Sequence, residues 1–393
     1  MRLAYVSLAT PFDRASWSGI PWYSYHALRS RFPDIHVIET PRLDALVDRA
    51  GKLERYGLLV RRRNAVVRLY ANRINAALER IQPDAIVGIS AAHKLALIDP
   101  KWPVVYATDA TFASVTSYYD KYHSLTATQL RQGERIQRAL VDRVDHFALA
   151  SQWAVDGART SYGIPDDRLS VLPFGANLDI DPGMQPPDLD RPLTLLFVGF
   201  DWNRKGGDLA LETWRILRER TGNAELHIAG CEPESALGLE GVHVHGRINK
   251  SDPAGYRLFC DLFARSHFFM MPSRQEAYGI VYCEIAAFGR PAVAAATGGV
   301  PTIVRDGETG LLMLPDADAI NYADRIMALW SDPQAYRAMC TAARNRYENT
   351  LNWQSWCDGM ADRIEAVVAQ TAARRNAPAA HPTLIPASHS AAG

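Results

Sequence analysis

The chain has 393 residues, too many for one ordinary hydrophobic core, so two domains are expected. Apolar residues make up 48% and charged residues 22%, as in a globular protein. Lys and Arg number 43 and Asp and Glu also 43, so no bulk charge calls for nucleic acid as a partner. No apolar run approaches the roughly 18 residues that would span a bilayer. The cysteines (Cys231, Cys260, Cys283, Cys340, Cys357) lack metal-ligand spacing and read as buried, reduced thiols.

Arg2–Leu8 reads as a buried first strand rather than the apolar region of a signal peptide, so the expected location is the cytoplasm. A helix over Trp22–Phe32 follows, then strands at His36–Glu39, Ala85–Ile89, Val104–Ala107, His146–Ala150 and Arg168–Pro173. Asn177–Pro192 is rich in proline and aspartate without periodicity and reads as a linker. A second winding starts at Leu193–Gly199, with helices at Leu209–Arg220 and Pro253–Arg265. Its further strands are expected at Glu225–Ala229, Val242–His245, His267–Met271 and Pro291–Ala296. Short apolar strands alternating with amphipathic helices predict an α/β fold with parallel sheets. The expected division is residues 1–180, residues 193–350, a helix over 351–373 and a disordered tail over 374–393. Two doubly wound halves would face each other across a cleft, with ligands beyond the carboxyl ends of the strands. No Gly-x-Gly-x-x-Gly and no P-loop follows the first strand.

The most informative stretch is Pro272-Ser-Arg-Gln-Glu-Ala-Tyr-Gly-Ile-Val-Tyr-Cys-Glu284. A strand ends at Met271, a loop follows, and a helix runs on to Phe288, closed by Gly289 and Pro291. Glu276 alone could be a helix cap. Glu284 sits among Val281, Tyr282, Cys283, Ile285 and Ala286, where a carboxylate is costly unless it is paired or binds something polar. Two such carboxylates can accept hydrogen bonds from the hydroxyls of a sugar or a ribose. Backbone amides near Gly279, at the start of the helix, suit an anion or a sugar oxygen.

This stretch resembles the Glu-x7-Glu signature of the retaining glycosyltransferases of family 4. Gly289-Arg-Pro, Thr297-Gly-Gly-Val-Pro301 and Asp306-Gly-Glu-Thr-Gly-Leu-Leu312 stand in that family's order, and the likeness covers about Leu193–Leu314. The resemblance implies a GT-B fold, two Rossmann-like domains facing across a cleft. It further implies transfer of a hexose-type sugar from a nucleotide-diphosphate sugar, with UDP or GDP as carrier, and no required cofactor. By the same resemblance Glu276 would hold donor-sugar hydroxyls, the amides of Ala277, Tyr278, Gly279 and Ile280 would touch that sugar, and Glu284 would hold the ribose. Asn352-Trp-Gln-Ser-Trp356 resembles the family's closing helix, which returns to the N-terminal domain. Retention would come from a leaving phosphate that stays close and helps to deprotonate the acceptor hydroxyl.

Gly199-Phe-Asp-Trp-Asn-Arg-Lys-Gly-Gly207 resembles the family's phosphate loop. Lys205 is the expected charge on the leaving diphosphate, with Arg204 beside it. The family's arginine usually follows the glycine directly, whereas Phe200 stands there in this chain. Thr297, Gly298 and Gly299 are a second candidate phosphate contact, or a tight strand-to-helix turn. Trp17-Ser-Gly-Ile-Pro21 resembles the loop that family members place against the donor phosphates, which makes Gly19 a candidate contact. At the end of the fourth strand the chain has Asp109 where many family members carry a histidine, a group that accepts a hydroxyl bond where imidazole would donate one.

No metal site is assigned: Asp316-Ala-Asp318 follows Pro315 at a helix start and reads as an N-cap. Residues 49–80 hold nine Lys/Arg and two Glu, a net of +7, within an amphipathic pattern. They read as a solvated helix face or as a contact for an anionic leaflet, which would put the protein at the inner face of the membrane. The expected acceptor is a glycan, a lipid-linked or a small molecule, in polysaccharide or glycolipid synthesis at the cell surface. Rival readings are a nucleotide-sugar epimerase of the same architecture and a nucleotide-sugar-binding subunit without catalysis.

Overall fold

The structure is a computed structural model and describes residues 1–51 and 60–376. Its N-terminal half runs β1 (Leu3–Ser7), α1 (Ile20–Arg31), β2 (Ile35–Val37), α2 (Pro41–Gly51), α3 (Asn64–Ile81), β3 (Ala85–Ile89), α4 (Ala92–Leu95), β4 (Val104–Thr108), α5 (Phe112–Tyr118), α6 (Ala127–Arg143), β5 (His146–Leu149), α7 (Gln152–Tyr162) and β6 (Leu169–Val171). The C-terminal half runs β7 (Thr194–Val198), α8 (Gly207–Thr221), β8 (Glu225–Ala229), β9 (Val242–Val244), α9 (Pro253–Arg265), β10 (Phe268–Met271), α10 (Ile280–Ala287), β11 (Ala292–Ala295), α11 (Val300–Ile303), β12 (Gly310–Met313), α12 (Ala319–Trp330), α13 (Pro333–Asn349) and α14 (Trp353–Asn376).

Each half carries one six-stranded sheet, and every strand pairing is parallel. Strands β1, β3, β4 and β10 are buried at every residue, which is why they read as unbroken apolar runs. The sheet orders are β2-β1-β3-β4-β5-β6 and β12-β11-β10-β7-β8-β9. The winding therefore reverses between β1 and β3 in one sheet and between β7 and β10 in the other. At such reversals the following loops part, and a ligand crevice opens outside the carboxyl ends of the strands.

Helix α14 returns from the C-terminal half to the N-terminal one. The Cys357 thiol donates to the Ala27 carbonyl of α1 at 3.1 Å. Trp356, fully buried, packs beside Trp353 and Phe174 with ring centres 5.2 and 6.5 Å away. The helix reaches Asn376 rather than ending at 373, and residues 377–393, where a disordered tail is expected, lie outside the described residues. Strand β12 and helix α2 depart from the expected element list. β12 is four residues long, without the period-two alternation that marks a half-exposed strand. Cys283, Cys340 and Cys357 are buried as expected, whereas Cys231 and Cys260 are half-buried. Asp318 caps α12, accepting from the Asn321 amide at 2.9 Å, in keeping with the capping reading of that pair.

The basic stretch needs a correction. Residues 52–59 of it lie outside the described residues. The apolar stripe of α3 (Val67, Tyr70, Ile74, Leu78) is buried in the N-terminal core, so it is not offered to a leaflet. Arg61 pairs with Asp48, and Arg62 turns inward with its guanidinium 4.2 Å from the Phe112 ring centre. What faces outward is Arg63, Arg68, Arg73 and Arg80. No helix of the described residues is long and apolar enough to cross a membrane.

Candidate active site

Residues of both halves line one cavity of about 510 Å³. Arg14, Trp17, Ser18, Tyr23, Asp109 and Tyr119 come from the N-terminal half, and Gly199, Arg204, Lys205, Lys250, the 276–281 segment and Glu284 from the C-terminal half. Lys205 lies in the loop after β7 and Glu276 in the loop after β10, the two strands that flank the reversal of the second sheet. Gly206, with φ +75°, lets these loops meet: a Cβ there would fall 2.1 Å from the Pro272 carbonyl oxygen.

The result is an ion pair between the Lys205 ammonium and Glu276, with side chains 13% and 10% exposed. The Ser273 hydroxyl donates to the same Glu276 oxygen at 3.4 Å. Arg204 lies 3.8 Å from that oxygen and donates to the Gln275 carbonyl at 2.8 Å. Arg204 and Lys205 thus both reach the cavity, although Phe200 displaces the arginine from its usual place in the loop.

Glu284 is the second carboxylate. It projects from α10, 5% exposed, and accepts from Lys250 Nζ at 2.6 Å. Burial pushes its pKa up, and the adjacent Lys250 ammonium pulls it back. Lys250 also donates to the Asn177 carbonyl at 3.0 Å. This lysine was not among the expected site residues. It shares the loop after β9 with Arg247, and no local pattern separates it from a solvated surface lysine.

Asn177 ties the walls together from a segment whose sequence has the character of a linker. Its side-chain nitrogen donates to the Ser18 carbonyl, and its oxygen accepts from Trp353 Nε1 at 2.9 Å. The loop it holds is unusual: Trp17 and Ser18 have φ of 45° and 54°, and Gly19 follows at 83° as the N-cap of α1. Two consecutive left-handed residues other than glycine store strain of order 1–3 kcal/mol each, as occurs at ligand-binding turns. Trp17, Ser18 and Ile20 line the cavity, whereas Gly19, between them in the chain, is not among the lining residues.

Asp109 follows β4 and faces the same cavity. Burial pushes its pKa up to about 6, helped by the negative charge of Glu276 and opposed by a backbone hydrogen bond and the Thr108 hydroxyl. Beside it, the Tyr118 hydroxyl accepts from the Glu276 amide at 2.9 Å and the Tyr119 hydroxyl from the Ala277 amide at 2.8 Å. The N-terminal half therefore grips the loop that carries Glu276. Of the amides proposed to face a sugar, that of Ala277 is already engaged. Those of Tyr278, Gly279 and Ile280 open α10, where amides precede the first helical hydrogen bonds.

Thr297, Gly298 and Gly299 are placed differently from expectation. They lie behind the Glu276 loop and are not among the residues lining the cavity. The Gly299 amide donates to the Glu276 carbonyl at 3.1 Å, and a Cβ on Gly298 would fall 2.0 Å from that carbonyl oxygen. Their smallness serves the packing of backbone on backbone, and Thr297 Oγ1 meets the Tyr118 hydroxyl at 2.5 Å.

Two Rossmann-like domains with parallel sheets, meeting at a cleft built on their switch points, make this an α/β protein of the GT-B fold. Residues 192–332 match the family model described as Glycosyl transferases group 1. A D-inositol 3-phosphate glycosyltransferase of Xylanimonas cellulosilytica is 30% identical over 234 residues, which cover 55% of this chain and 54% of that one. The chain thus spans about half the length of such curated relatives. Among solved structures, the sucrose-phosphate synthase of Thermosynechococcus elongatus superposes with a TM-score of 0.68 at 17% identity, covering 94% of this chain and 100% of that chain. Anabaena HepE in complex with UDP-glucose superposes with a TM-score of 0.63 at 15% identity, covering 93% of this chain and 100% of that chain.

Proposed function

We propose that this protein is a retaining glycosyltransferase that moves a hexose-type sugar from a nucleotide-diphosphate sugar to an acceptor hydroxyl. The observation that carries the reading is the pair of buried carboxylates, Glu276 and Glu284, each held by a lysine at one cavity wall. A carboxylate has about four lone-pair positions, so each keeps capacity for hydroxyl donors beyond its lysine. Glu276 would bind the sugar hydroxyls and Glu284 the ribose. Lys205 and Arg204 would exchange their carboxylate contacts for the diphosphate and stabilise the charge that develops as it leaves. The free amides at the start of α10 suit an oxygen of the sugar. Asp109 would accept a hydrogen bond from a hydroxyl of the sugar or the acceptor. No metal and no cofactor enters this scheme, since two cations already face the leaving group.

The match to group 1 glycosyl transferases and the likeness to a protein solved with UDP-glucose support a UDP- or GDP-sugar as donor. The acceptor would be a glycan, a lipid-linked or a small molecule, used in making polysaccharide or glycolipid. The outward arginines of α3 supply an electrostatic contact for an anionic leaflet, which would hold the protein at the cytoplasmic face. A thermal-shift panel of UDP-, GDP- and ADP-sugars, followed by donor hydrolysis with the best binder, tests the reading. One donor should raise Tm and be turned over slowly. A chain that binds no nucleotide sugar contradicts it.

A further inference from the structure

Strands β8 and β9 form the edge of the second sheet, paired in parallel with His227 opposite His243. Side chains alternate along a strand, so Glu225 and His227 of β8 share a face with His243 and His245 on β9 and just beyond it. The opposite face carries Leu226 and Ile228, both fully buried in the core. Three imidazoles and a carboxylate thus stand together on a half-exposed patch outside the cavity of the proposed active site.

Their ligand atoms lie close together. One ligand atom each from Glu225, His227 and His243 lies within 4.8 Å of the other two. His227 Nε2 is 3.7 Å from Glu225 Oε2, and His227 Nδ1 is 2.9 Å from His245 Nε2. The His227 and His243 rings stack with centres 4.7 Å apart. A tetrahedral zinc ion with bonds of about 2.0–2.1 Å holds its ligand atoms roughly 3.3 Å apart, so small side-chain rotations would close the set. In the tautomer whose Nδ1–H donates to His245, His227 presents the Nε2 lone pair toward Glu225. A hydrogen bond on the far nitrogen is what orients a metal-bound imidazole.

We propose that Glu225, His227 and His243 bind a divalent transition-metal ion of the zinc class, with His245 as the outer hydrogen-bond partner that orients His227. Imidazole with one carboxylate suits zinc, nickel or copper rather than magnesium or calcium. Glu225 supplies negative charge, and the positive charges of Arg191 and Arg265, which act on His227, set a limit on affinity. The ion would pin the three-residue edge strand β9 to β8. It would thereby steady the loop that leads into the cavity through Ile248–Ser251.

The test is calorimetric titration of the full-length chain with Zn²⁺ alone at micromolar concentration, with thermal melts beside it. Wild type should bind one ion and gain Tm, reversibly on chelation. His243→Asn and Glu225→Gln should each weaken binding roughly tenfold or more. His243 is exposed, so its variant should fold as wild type does, which a melt without metal checks. His381→Asn/His389→Asn, in the C-terminal tail, should bind as wild type. Failure of wild type to bind, or unchanged binding in both His243→Asn and Glu225→Gln, overturns the site.

Discussion

The two walls of the cleft are built from different materials. The C-terminal wall carries two lysine–glutamate pairs and an arginine, drawn from the loops after β7, β9 and β10 and from α10. The N-terminal wall offers one carboxylate of raised pKa, a strained turn and aromatic hydroxyls. A diphosphate and a ribose are the same in every donor of a class, so the charged wall can be a fixed constellation. An acceptor varies, and the wall proposed to meet it carries, among the described residues, only one arginine, Arg14, itself paired with Asp179, beside the Asp109 carboxyl. On the proposed reading, the chemistry that handles the donor would be concentrated in short motifs, and acceptor choice would be spread over distant segments.

The comparison breaks most readily at Lys205. Lys205→Ala should lower kcat by about 10²–10³-fold, the usual loss when a group that stabilises developing negative charge is removed. The same substitution strips a partner from Glu276, whose side chain is 10% exposed, so a fall in Tm should accompany it. Activity within a few-fold of wild type would remove the leaving-group role from the C-terminal wall.

Tyr119→Phe probes the grip of one wall on the other. It leaves the Ala277 amide without its hydroxyl partner, at a cost of about 1–3 kcal/mol in stability. Measured by denaturant unfolding, an unchanged stability would mean that the N-terminal half does not restrain the Glu276 loop.

Asp109 gives a pH signature. Its folded pKa of about 6 lies above the ordinary 3.8, so the folded state holds this proton more tightly. The stability it contributes is fully present below the ordinary value and is lost as pH rises through about 6. Asp109→Asn should flatten that part of the stability profile. If the carboxylate accepts a substrate hydroxyl, the wild-type rate should rise through the same range and the rate of the variant should not. A further prediction concerns the outward arginines at the start and along the outer face of α3. Replacing Arg63, Arg68 and Arg73 by Glu should weaken flotation with anionic vesicles by about 1 kcal/mol per residue and leave donor turnover unchanged.

Much of the fold was legible because parallel strands buried on both faces are unbroken apolar runs, as at Ala85–Ile89 and His267–Met271. β12 escaped because four residues, three of them buried, carry no periodicity. The same contrast holds in the site. Glu284 stood out as a carboxylate inside an apolar helix, and Lys205 as a cation in a glycine-flanked loop. Lys250, Asn177 and Tyr119 did not stand out, since each acts on a residue tens of positions away that no local spacing encodes. Thr297–Gly299 misled for a related reason. Glycines that let backbone approach a ligand look the same in sequence as glycines that let backbone approach backbone.

The central claim is that the two lysine-held carboxylates bind a nucleotide sugar. Calorimetric titration of wild type and Glu284→Ala with the donor selected by thermal shift tests it most directly. Loss of charge-assisted hydrogen bonds of about 1.5–3 kcal/mol predicts a Kd weaker by roughly 10- to 150-fold in the variant. An equal Kd in the two proteins, with the variant folded, would contradict the account.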